Sequence, residues 1–471
     1  MTIIRTAVSL FLFLTVFTAL QAQIQFAQHF ISNNAQSAFS VYAIDVDSDG
    51  DMDVLSASVT DNKIAWYENN GSQNFITHVI TTNAIGAVSV FAIDLDGDND
   101  TDVLSASRLD HKIAWYENDG NQNFTAHIIP ASVIEPWSVF AIDLDGDGDV
   151  DVLSASAQDF KIAWYENDGS QNFIAHTISL NAQIARSVFA IDVDSDGDID
   201  VLSASSLDNK IAWYENNGAQ VFTEHAIDTG AHWAFSVSAL DMDGDSDVDV
   251  LSASVVDDKV AWYENDGAQN FTTHEISTDD DHVASVFAID LDGDSDVDVL
   301  SASFGGSEIS WYENDGSQNF NRHFISTTAD EPASVFAIDL DGDNDIDVLS
   351  AVSAYNAIVW YEQLNPTAIS PGDSPKIPET VQLFQNYPNP FNPVTRIQYS
   401  VSSNQFVVLK VYDLLGRVVK TLVNQRKAAG SYSMQWDGTN DAGEAVSSGV
   451  YLYRLTGGKN FVQTRKMLLL R

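Results

Sequence analysis

The stretch DLDGDGDVDVL, residues 143–153, sets carboxylates at Asp143, Asp145, Asp147, Asp149 and Asp151 and then turns at once into an apolar run. Counted from its first aspartate, this loop offers side-chain oxygens at positions 1, 3, 5 and 9 and a backbone carbonyl at position 7. An oxygen-only donor set of that kind suits calcium. Left bare, like charges about 4 Å apart repel by roughly 4 kcal/mol per pair at an effective dielectric near 20. A merely solvated acidic turn needs neither this spacing nor a hydrophobic strand directly after it. An EF-hand loop fits poorly, because position 12 is Ser56 in the first loop and Ser154 in the third, where that loop requires Glu.

The loop recurs six more times. Asp45, Asp47, Asp49, Asp51 and Asp53 form the first copy, Asp94, Asp96, Asp98, Asp100 and Asp102 the second, and Asp192, Asp194, Asp196, Asp198 and Asp200 the fourth. The fifth holds Asp241, Asp243, Asp245, Asp247 and Asp249; the sixth Asp290, Asp292, Asp294, Asp296 and Asp298; the seventh Asp339, Asp341, Asp343, Asp345 and Asp347. Each copy starts 49 residues after the last, and Trp66 and His78 return with the same period through Trp360 and His323. One unit reads as four short strands: SVFAIDL and DVLSASA flank the acidic loop, KIAWYEN follows, and NFIAHTIS comes after an Asp-Gly turn.

Four strands per repeat is a propeller period. The seventh unit lacks a fourth strand, while an orphan one, QFAQHFIS, stands ahead of the first unit. Pairing the two would close a ring and remove two exposed sheet edges. The expectation is therefore an all-β chain, a seven-bladed β-propeller of 49-residue repeats over residues 23–362, its N-terminal strand completing the last blade.

Composition supports a large folded core rather than a solvated polyanion: 45 % of residues are hydrophobic although the formal net charge is -47. That charge argues against nucleic acid and anionic membranes as partners. With no cysteine, thiolate metal sites and a cysteine nucleophile are excluded. Arg5, the apolar residues 7–20 and small Ala22 read as a signal peptide over residues 1–22, too short for a comfortable span; an N-terminal anchor is the competing reading.

The loops DVDSDGDMDVL, DLDGDGDVDVL and DVDSDGDIDVL resemble those of FG-GAP/VCBS repeats, found in the propeller of integrin α chains and in many bacterial surface proteins. The resemblance covers residues 24–362. It implies up to seven structural calcium ions, the first held by Asp45, Asp47, Asp49, the Asp51 carbonyl and Asp53. The pattern has Gly at position 6, and Ser246 and Ser295 depart from it. Seven near-identical sites read as staples, since a catalytic metal generally occurs once with an open position. The periodic Trp, Tyr and His read as packing between repeats, with seven ligand sites as the alternative.

Residues 363–382 are proline-rich and read as a linker. From Leu383 to Arg471 there are 11 basic and 4 acidic residues. Alternating runs such as FVVLKVYDL and GVYLYRL indicate a small Ig-like β-sandwich over 383–471. LFQNYPNPFNPVTRIQYSV, YDLLGRVV, WDGTND, SSGVYLYRL and KMLLLR resemble the C-terminal sorting domain of type IX secretion cargo. That resemblance implies the type IX secretion machinery as partner and a secreted or outer-membrane-surface location on a Gram-negative cell. A sandwich with a binding role of its own is the alternative.

Two function classes remain: a calcium-stabilised binding propeller for adhesion, glycan or protein recognition, and an extracellular polysaccharide- or sugar-processing lyase or dehydratase. Unbroken repetition favours binding, because catalysis needs groups that break the sameness; no enzyme activity is expected, and the propeller should be monomeric. The residue before the invariant Ser of each first strand varies: Phe39, Val88, Trp137, Arg186, Phe235, Ala284 and Ala333. Large residues on one arc and small ones on the other suggest a lopsided hollow around the channel mouth. Phe39, Trp137, Arg186 and Phe235, with His232 and Trp233 nearby, are the candidate ligand-binding residues. Drift in an unconstrained loop is the competing account.

Overall fold

The computed structural model describes residues 24–364, 382–383, 395–401, 405–413, 415–427, 430–436, 438–441, 443, 445–457 and 461–469. The expected signal peptide and residues 365–381 of the expected linker lie outside the described residues. The chain divides into two compact units, Met1–Pro366 and Thr367–Arg471.

The first unit holds seven antiparallel four-stranded sheets. The third is typical: Pro136–Ile142, Asp151–Ser156, Lys161–Asn167 and Phe173–Ser179 pair in chain order, with Leu153 opposite Trp164 and Trp164 opposite His176. All six residues of Asp151–Ser156 are buried, whereas all of Phe173–Ser179 but Ser179 is half-buried or exposed. Full burial follows from neighbouring sheets covering both faces, which is why the second strands are runs of small and branched residues rather than an alternation.

Successive sheets share cores. Leu153, Trp164, Val188 and Val201 join the third to the fourth, and Val41, Ala43, Leu349 and Trp360 join the first to the last. Gln25–Ser32 pairs antiparallel with Ala357–Leu364, His29 opposite Trp360, and so supplies the last sheet's fourth strand. The chain is thus all-β, with sheets repeated about a common axis in the manner of a propeller.

Every first strand carries a register shift at its start. In the third sheet it falls between Pro136 and Ser138, leaving Trp137 as the extra residue, and Phe39, Arg186 and Phe235 occupy the same place in theirs. A bulge of this kind re-aims its side chain.

The second unit has a three-stranded sheet of Gln382–Leu383, Thr395–Val401 and Gly430–Trp436. A four-stranded sheet orders Val418–Lys427, Gln405–Tyr412, Gly449–Gly457 and Phe461–Leu469. Both contribute to one core that includes Ile397, Tyr399, Leu409, Trp436, Tyr453 and Met467.

Candidate functional site

The acidic loops are built by hydrogen bonds between aspartates and their own backbone. In all seven, the position-1 carboxylate accepts the N–H of position 6 at 3.0 Å, as from Gly148 to Asp143. This fold requires positive φ at positions 4 and 6: Gly146 at 76° and Gly148 at 98°, Ser48 at 60° with Gly50, and Gly244 with Ser246 at 79°. The departure at Ser246 and Ser295 leaves the loop conformation intact. Each loop keeps a Gly at one or both of the two positions, which limits the cost of the left-handed conformation.

Position 9 is the pivot. Asp151 is 1 % exposed, and its two oxygens accept the N–H of Leu144 at 3.1 Å and of Asn167 at 2.8 Å, tying the loop's start to the end of the third strand. Burial pushes Asp151, Asp102, Asp298 and Asp347 up to about 7 and Asp53, Asp200 and Asp249 up to about 6; the two backbone donors oppose that rise, and the position-3 carboxylate adds to it.

Positions 1, 3 and 9 bring carboxylate oxygens within 4.8 Å of one another, as at Asp45, Asp47 and Asp53 or Asp143, Asp145 and Asp151. Position 5 lies outside that group; Asp147 accepts the N–H of Asp149 at 2.9 Å. Position 7 turns its side chain onto the third-to-fourth turn, where a Cβ on Gly169 would stand 2.5 Å from Asp149. An all-oxygen set, buried at position 9 and half-buried at positions 1 and 3, with no basic group among the causes of the raised Asp151 pKa, fits a hard cation such as calcium.

The periodic Trp and His sit beside these loops. Trp164 is 3 % exposed and stacks on His176 at 4.6 Å, and His176 Nε2 meets Glu166 at 2.7 Å. Between the fourth and fifth sheets a groove of about 510 Å³ is lined by Asp194, Trp213, Glu224, His225 and Phe271. Its polar groups are already committed: His225 to Glu215 at 2.7 Å and Glu224 to Lys210 at 2.6 Å.

At the other end of the axis the structure brings together four of the six candidate ligand residues. Phe39 meets Trp137 at 5.6 Å and Phe235 at 6.5 Å, and Trp137 meets Phe235 at 6.0 Å. These residues come from the first, third and fifth sheets, so they touch across the axis. The expected lopsided hollow is thereby corrected: long bulged side chains meet across it. Arg186 lies over Trp137 at 3.9 Å, occupying an aromatic face expected to be free. His232 and Trp233 stand apart, both exposed, with Trp233 at φ 58° donating its N–H to Asn209.

Sequence reasoning missed Arg108, 5.0 Å from the Trp137 ring. The signal was present: the equivalent position in other units is Val59, Ala157, Ser206, Val255, Phe304 or Ser353.

Residues 45–105, 94–154, 143–203, 192–252, 241–301 and 290–350 each match the FG-GAP-like repeat, together more than half of the chain. The chain belongs to the FG-GAP-like repeat family. Beyond these FG-GAP-like repeats, residues 395–460 match the FlgD Ig-like domain. No curated protein matches the chain. Among solved structures, BBS1N in complex with ARL6DN, soaked with lead, is 12 % identical, with 74 % of this chain and 99 % of that one covered and a TM-score of 0.53. The same complex soaked with mercury is 11 % identical, at 73 % and 98 % coverage and a TM-score of 0.54. A functionally unknown protein from Desulfotomaculum acetoxidans DSM 771 is 10 % identical, at 66 % and 89 % coverage and a TM-score of 0.44. The likeness to the first two, at such identity, shows a shared fold alone. A propeller of FG-GAP-like repeats suggests an extracellular or binding role.

Proposed function

We propose that this chain is a calcium-stabilised binding module, secreted or displayed on the surface of a Gram-negative cell. In this reading residues 23–362 are a closed seven-bladed propeller, and up to seven calcium ions staple its loops. The carboxylates at positions 1, 3, 5 and 9 and the position-7 carbonyl would hold each ion, which supplies the positive charge that lets the buried position-9 carboxylate stay ionised. An extracellular glycan or protein ligand is engaged at the opposite end, around Phe39, Trp137, Arg186 and Phe235. The C-terminal unit is an Ig-like sandwich that acts as a type IX sorting domain, and no reaction is catalysed.

The contrast between the two ends carries this reading. One holds seven near-identical acidic loops, the other a cluster that breaks the repeat. Repetition suits support and singularity suits recognition. A glycan and protein array probed with the full chain, in calcium and then in chelator, tests it together with melting curves under both conditions. We expect calcium-dependent binding and a lower Tm in chelator. A Tm unchanged after exhaustive chelation would remove the staples, and retention of all binding by a Trp137→Ala, Arg186→Ala variant would move the ligand elsewhere.

A further inference from the structure

Residues 24–364 contain eight basic side chains among a large excess of acids. Five are lysines that meet a carboxylate two residues earlier, as Lys63 does with Asp61 at 2.9 Å. A sixth, Arg322, meets Asp280 at 3.1 Å and Glu308 at 3.0 Å. Arg108 and Arg186 alone among them have no carboxylate within 4.0 Å, and both lie against Trp137.

Their setting is specific. Arg186 Nε donates to Ser206 Oγ at 3.2 Å, and that hydroxyl donates to the Ala234 carbonyl at 3.0 Å, so one edge of the guanidinium is fixed. Arg186 Nη1, Arg108 Nε and Trp137 Nε1 are enclosed without an acceptor. Burial, and then the Arg108 charge, bring Arg186 down to about 10, with only Glu135 acting the other way. Stacking on an indole explains where the guanidinium groups lie. It leaves enclosed donors of both unpaired and two like charges against one indole, an arrangement that an anion relieves. A carboxylate offers two coplanar acceptors of the geometry that guanidinium donors take.

We propose that this end of the channel binds a small monocarboxylate, in saccharide form a uronate, between Arg108 and Arg186. The assignment rests on the reading that ligand is engaged at this end, and it replaces a neutral stacked sugar with an acidic one. Recognition then comes from charge-assisted hydrogen bonds, because the Trp137 face is already covered.

Isothermal titration of the full chain in calcium with glucuronate, glucose and inorganic phosphate tests it. We expect glucuronate to bind more tightly than either, to weaken with added salt, and to lose about tenfold in affinity in Arg186→Gln and in Arg108→Gln, with partial recovery in Arg186→Lys. Equal binding of glucose and glucuronate, both lost in Trp137→Ala, would overturn the carboxylate while leaving a ligand at this end. Glucuronate binding untouched by the arginine variants would overturn the site, and tighter binding of phosphate would overturn the monoanion. Should Arg186→Gln fail to fold, the salt dependence and the glucuronate-to-glucose contrast of the unaltered protein decide.

Discussion

Val139 donates its backbone N–H to the hydroxyl of Ser89 in the preceding sheet, at 3.3 Å. The innermost strand of each sheet is an edge with no further strand to pair with, so this N–H needs another acceptor. The invariant Ser of the previous sheet supplies one at six junctions, including Ser334 to Val41 across the point of closure. Among the described residues, no such bond joins Ser236 to Val286. At that junction a belt of touching rings is also broken: Tyr42, Phe91, Phe140 and Phe189 follow at 4.9–5.0 Å, as do Phe287 and Phe336, but the fifth sheet has Ser238.

The fifth-to-sixth junction should therefore be the weakest in the ring. Ser238 occupies the register that Phe140 occupies in the third sheet, and its hydroxyl is enclosed without a partner. Ser238→Phe is expected to raise the guanidinium midpoint by closing the belt. Ser89→Ala is expected to lower stability by about 1 kcal/mol, the loss of one hydrogen bond. A destabilised Ser238→Phe protein would mean that the gap is filled by something the aromatic displaces.

Stability should respond to pH in opposite ways with and without calcium. The position-9 carboxylates have folded pKa values of about 6 to 7, above the ordinary 3.8, so between those values the folded state holds more protons than the unfolded. In chelator, stability should fall as pH rises from about 4 to about 7, because the buried groups must then ionise unaided. Calcium replaces the proton, so the Tm gain on adding it should be larger at about pH 7.5 than at about pH 5. Melts at both pH values, with calcium and with chelator, check this; a calcium gain independent of pH would detach the ion from these carboxylates.

Two aspartates of one loop should separate folding from metal binding. Asp151 accepts one backbone N–H on each oxygen in a buried place, and asparagine would set an NH2 donor against one of them, so Asp151→Asn should cost about 1–3 kcal/mol even in chelator. Asp147 accepts one exposed N–H, which an amide oxygen still can do. Asp147→Asn should leave the chelator melt within about 0.5 kcal/mol while weakening calcium at a single loop. Equal losses for both in chelator would count against this division of labour.

The repeat period made the strands and the acidic loops legible, because each unit writes the same four runs and the closing strand was displaced visibly to the front. The bulge was not legible. It is a property of pairing between Pro136 and Ser156 rather than of any residue type, and it is what swings Trp137 to the axis. Side-chain length across the axis then decided between an open hollow and one bridged by touching rings. Arg108 escaped notice because it lies in the second strand's exit, remote in sequence from the first-strand position it joins.

Removal of residues 383–471 tests the sorting assignment under the proposed function. The first unit has its own cores, none drawing on a residue beyond Tyr361, so it should still fold. Cell fractionation should find the shortened chain retained in the periplasm, while the full chain reaches the surface or medium. Normal export of the shortened chain would leave the C-terminal unit as a domain with some other task.

Deletion of residues 23–32 tests closure. Gln25–Ser32 makes the outer strand of the last sheet, and His29 stacks on Trp360 at 4.6 Å and meets Glu362 at 2.7 Å. Without it the edge of Ala357–Leu364 is bare, an open row of backbone donors and acceptors that another chain can join. The other six sheets keep all their strands, so loss of the peptide's own contacts alone would give a modestly less stable monomer. An exposed edge instead gives self-association that rises with concentration. Light scattering against concentration separates the two, with aggregation expected, and its rescue by supplying residues 23–32 as a free peptide expected as well. A shortened chain that stays monomeric at every concentration would show that the last sheet is protected by some other means.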